Sequence, residues 1–60
     1  MQLSEKELSS IKELLNEEDL LVKKFQMLAD HAETQELRDK MMSISEKHQG
    51  HFNELYSKLS

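Results

Sequence analysis

Three polar residues stand where an apolar pattern calls for hydrocarbon. Glu18 interrupts a stripe of Leu8, Ile11, Leu15, Val22, Phe25, Ala29 and Ala32. His48 and His51 interrupt a second stripe of Leu37, Met41, Ile44 and Leu55. One carboxylate and two imidazoles are donor types that bind zinc, iron, manganese or copper. His48 and His51 are spaced i, i+3, so on a helix both rings can reach one ion. Two other uses stay open. The three residues can form a polar device that sets helix register, with Glu18 paired to a protonated histidine. They can also act as a pH-sensitive seam, because imidazoles ordinarily change charge near pH 6.5, about the middle of the physiological range.

The elements that must position these residues are two helices. Steps of three and four alternate along each stripe, the seven-residue repeat of helices that pack on one another. Proline is absent, Gly50 is the only glycine, and neither strand alternation nor Asn-Gly or Asp-Gly turns occur. Ser4 followed by Glu7 reads as a capping box that opens helix 1, which is predicted over about 4–32. Thr34, with Glu36 in the first turn, opens helix 2 over about 35–58. His31 falls in the last turn of helix 1 as a solvated residue near a helix C-terminus. The short connection makes residues 1–60 a single antiparallel helical hairpin. The fold class is all-α.

The hairpin sets a common height for the three polar residues. Glu18 precedes the turn by about 15 residues, and His48 and His51 follow it by about 14 and 17. At about 1.5 Å per residue all three lie roughly 20–25 Å from the turn. Nothing in the repeat requires this agreement, and it favours a shared site. Gly50 lies between the histidines, where a mid-helix glycine costs about 1 kcal/mol relative to alanine; close helix approach or access to the site would explain it.

Size and charge narrow the functional classes. A chain of 60 residues buries only about 60% of its unfolded surface and is marginal alone. Cysteine is absent, so disulfides and thiolate metal sites are excluded, and a metal or a second copy remains as the stabiliser. Leu14, Leu21, Leu28, Phe52 and Leu59 lack cover in a lone hairpin. A homodimer or higher homo-oligomer closing a four-helix bundle is the simplest completion. Twelve Asp and Glu against eight Lys and Arg argue against nucleic acid. No apolar run reaches the roughly 20 residues of a membrane span, and no signal peptide is visible, so a cytoplasmic location is expected. No nucleophile–base–orienter set or phosphate loop appears, so an enzyme is not expected. Asp19 and Lys23 or Lys24 read as surface ion pairs, Met27, Met41 and Met42 as packing, and Tyr56 as an amphipathic packing residue.

Residues 14–59 resemble one hairpin of the ferritin-like, rubrerythrin-type proteins, in which an inward Glu faces a Glu-x-x-His pair. Glu18 matches the inward Glu and His51 the ligand His. His48 stands where that family has a bridging Glu, which removes charge that stabilises two ferric ions; a different or single metal fits better. The segments Glu7-Leu8 to Leu15, Thr34-Gln35-Glu36-Leu37-Arg38 and Glu46-Lys47-His48-Gln49-Gly50-His51-Phe52 are similar to the coat-F-type spore coat proteins. That resemblance implies a ferritin-like bundle and a place in the spore coat, with no known reaction. The leading expectation is a small self-associating structural protein. The alternative is a four-helix-bundle protein that binds iron, zinc or manganese through Glu18, His48 and His51.

Overall fold

The computed structural model describes residues 3–59; Met1, Gln2 and Ser60 of the expected 1–60 hairpin lie outside them. Two helices, α1 (Glu5–Asp30) and α2 (Gln35–Ser57), pack against each other in antiparallel fashion.

Local chemistry sets the helix ends. Ser4 is the N-cap of α1: its hydroxyl accepts from the Glu7 N–H at 3.1 Å, and the Glu7 carboxylate accepts from the Ser4 N–H at 3.0 Å. Thr34 caps α2 by accepting from the Leu37 N–H at 3.1 Å. α1 ends at Asp30, two residues short of the expected Ala32, with His31 as its C-cap. The exposed His31 ring lies with Nδ1 3.0 Å from the Met27 carbonyl. α1 has no basic residue in its last turn. Arg38 of α2 supplies the missing charge, donating to the carbonyls of Ala29 and Ala32 at 3.4 Å each. Those carbonyls carry the negative end of the helix dipole, so the contact holds the turn without glycine or proline.

Every residue of the α1 stripe, from Leu8 to Ala32, is buried or half-buried, as the repeat predicts. The α2 stripe keeps Met41, His48 and Leu55 as expected but takes Ser45 and Phe52 in place of Ile44 and His51. Met41, Ser45, His48, Phe52, Leu55 and Leu59 face α1, while Leu37 and His51 are exposed and Ile44 is half-buried at the flank. The physical reason is Ser45. It is 3% exposed, and its hydroxyl donates to the Val22 carbonyl at 3.0 Å, so a polar residue sits in the seam fully satisfied. With Val22 and Ala29 it forms the most buried part of the structure.

Exposed apolar side chains lie on more than one face: Leu20, Met27, Met42 and Tyr56 are uncovered, and a leucine line runs along one flank. Leu14, Leu28 and Leu37 are exposed, and Leu21 is half-covered. Phe52 and Leu59, also expected to lack cover, are half-buried within the hairpin seam. The opposite flank is mixed: Lys12, Gln26 and Gln49 are exposed there with Met42 and Tyr56, and Asp19 pairs with Lys23 at 2.9 Å. The hairpin measures 46 × 15 × 10 Å, with a radius of gyration of 14.2 Å. A compact chain of this length has about 10 Å. Among the described residues no helix is long and apolar enough to cross a membrane.

Candidate metal centre

Glu18, His48 and His51 meet. The α1 repeat turns Glu18 toward α2, and the antiparallel register brings both histidines to its height. His48 Nδ1 is 2.8 Å from Glu18 Oε1, and His51 Nδ1 is 2.9 Å from Glu18 Oε2. Each carboxylate oxygen is thereby matched to one imidazole. An ionised carboxylate only accepts, so the His48 ring donates to it through Nδ1–H, and His51 stands beside it at ion-pair distance.

The environment is graded. The Glu18 side chain is 13% exposed, His48 21% and His51 56%. Phe25 stacks on His48 with centroids 5.8 Å apart and planes at 16°, closing the inner side of the cluster. His51 meets His48 edge-on at 5.5 Å and 84°. On the outer side lies a cleft of about 470 Å³, lined by Leu14, Glu17, Leu21, Glu54, Leu55 and Lys58 together with Glu18 and His51 but not His48. No buried side-chain nitrogen or oxygen among the described residues lacks a hydrogen-bond partner.

These atoms are close enough to hold an ion. Each residue offers one ligand atom, and the three lie within 4.8 Å of one another. Donors bound at about 2.0–2.2 Å to one ion lie at most about 4.4 Å apart. A small rotation of the exposed His51 ring closes any remainder. Among the described residues no fourth His, Cys, Asp or Glu joins the group.

No protein-family model matches the chain, no curated protein matches it, and no solved structure does.

The spacing of Glu18 against His48 and His51 was the sequence signal for this cluster. Two contributors were not legible from it. Phe25 carries no polar atom, and its role as a wall depends on which histidine lies beneath it. Ser45, one turn from His48, fixes the register by bonding the α1 backbone at Val22. A hydrophobic stripe cannot reveal a serine, but continued alternation of threes and fours through Met41, Ser45, His48, Phe52, Leu55 and Leu59 could have. Gly50 does not serve close packing. A methyl group built on it meets nothing within 4 Å, and its backbone does not require glycine.

Proposed function

We propose that this protein is a self-associating helical hairpin, in which two copies pair through the Leu14–Leu21–Leu28–Leu37 face to close a four-helix bundle. The observation that carries the reading is the large exposed surface, with the uncovered leucine line Leu14, Leu28 and Leu37 along one flank. A compact monomer of 7.1 kDa exposes about 4,100 Å². This hairpin exposes 4931 Å². The excess, about 800 Å², is one partner's share of a standard protein–protein interface. The resemblance to coat-F-type proteins extends the reading to a structural part in a spore coat. Sedimentation equilibrium over a micromolar concentration series tests the pairing. The expected result is a dimer that Leu14→Glu with Leu28→Glu converts to monomer. A wild-type chain that stays monomeric and fully helical throughout the series would sink it.

A specific observation favours a second activity beside the first. The Glu18–His48–His51 cluster supports binding of zinc, iron or manganese. Two imidazoles and one carboxylate on one ion suit these metals better than the carboxylate-rich surroundings of paired ferric ions. Metal content per chain, after incubation with each ion and removal of excess, tests it. One ion per chain is expected for the wild type and none for His48→Ala with His51→Ala. Equal uptake by both would remove these residues from the site.

A further inference from the structure

The metal-binding reading has a consequence for what the ion does. The protein supplies three donor residues and no fourth among those described. Divalent zinc takes four ligands, and three-ligand protein sites keep a position for an outside molecule, whereas structural zinc sites are closed. Two His and one carboxylate are likewise the ligand set of ferrous sites with open positions. The direction of the opening follows from the walls. Phe25 covers His48 on the inner side at 5.8 Å. His51 is 56% exposed and lines the cleft together with Glu18. An ion held by Glu18, His48 and His51 therefore has its free position toward the cleft, not toward the helix seam.

The cleft has its own chemistry. Leu14, Leu21 and Leu55 make an apolar floor. Glu17, Glu18 and Glu54 bring three carboxylates, and Lys58 one ammonium. A divalent ion with Lys58 balances the three carboxylates, so a monoanionic head at the ion meets no net repulsion. Its tail would lie along the leucines. We infer that the loaded cluster is a mononuclear site with an open coordination position, and that this position takes a small monoanionic oxygen ligand with an apolar tail, such as a fatty carboxylate or hydroxamate. The inference rests on the metal-binding reading above.

Cobalt(II) titration of the full chain, followed by visible absorption, tests this. The probes are acetohydroxamate and octanohydroxamate. One cobalt per chain is expected, with a spectrum that both probes shift. The longer probe should bind at least about tenfold more tightly, because its methylenes leave water. Leu14→Ala should narrow that ratio. Cobalt bound one per chain with a spectrum that neither probe moves would overturn the open position and leave metal binding standing. A shift by both probes with equal affinity would overturn the cleft as the ligand's seat. Absence of cobalt uptake would remove the metal-binding reading itself, and this inference with it. Loss of helicity in Leu14→Ala is checked by circular dichroism, and Leu55→Ala serves as the second cleft variant.

Discussion

The two halves of the hairpin join their helices by different means. Near the turn, Val22, Ala29 and Ser45 are all under a tenth exposed, and two of the three are small. Small side chains let the backbones approach, and Ser45 and Arg38 then bond the α1 main chain directly. Further out, Glu18, His48 and His51 replace that contact with ring-sized groups, and a cleft of about 470 Å³ opens beside them. The difference teaches that the cluster owes its precision to the other half. A clamp built on backbone bonds sets the register in which the three donors meet.

That contrast can be broken from either side. Enlarging the tight half should have the greatest effect. Ala29→Leu, at a residue 1% exposed, should destabilise the protein by about 1–3 kcal/mol through overpacking. Leu14→Phe, the matching enlargement in the open half, should change the stability of the unpaired hairpin little, since Leu14 is 44% exposed in it. Urea unfolding of both variants measures the difference, and equal losses would abolish the distinction between the halves.

Next in size is Gly50→Ala, expected to stabilise by about 1 kcal/mol because the position is helical and open. A loss of stability would mean that the added methyl meets something, most readily a second copy. Ser45→Ala should cost a similar amount, about 0.5–1.5 kcal/mol, by deleting the bond to Val22. It should also loosen the cluster, seen as weaker metal binding without loss of any donor. Unchanged metal affinity in Ser45→Ala would disconnect the clamp from the site.

The smallest effect belongs to the open end. The Ser4 N–H, followed by the Ser4 hydroxyl, holds the Glu7 carboxyl below its ordinary range. A depressed folded-state value means stability that is present above the unfolded carboxyl's titration and is lost as pH falls through the folded one. Helicity at the start of α1 should therefore decline on acidification, and Glu7→Gln should flatten that limb. Amide chemical shifts of residues 5–8 report it. An identical acid profile in the two proteins would show that the capping box carries no such coupling.

Much of this arrangement was legible in the residues. The α1 stripe, the caps at Ser4 and Thr34 and the common height of Glu18 and both histidines follow from spacing; that Glu18 meets the histidines of its own chain does not. The α2 phase was not, because hydrophobicity ranks Leu37 and Ile44 above Ser45, whereas burial ranks them the other way once the serine hydroxyl has an acceptor. Arg38 was equally hidden. Its value lies in two carbonyls of another helix, which no pattern of side chains displays. The choice of Nδ1 over Nε2 at both rings is likewise a matter of rotamer and distance rather than sequence.

The ladder of contacts from the turn outward also orders the making of the structure. Arg38 reaches back nine residues to Ala29, Ser45 reaches 23 to Val22, and His48 reaches 30 to Glu18. Each closure shortens the free loop left for the next, so the helices can zip from the turn with little added entropy cost at each step. The cluster closes late and opens early. An ion bound there would act as a latch on the last rung, and contacts absent from the folding transition state slow unfolding rather than hasten folding. Metal would thus lengthen the lifetime of the closed hairpin more than it would shorten the time needed to form it.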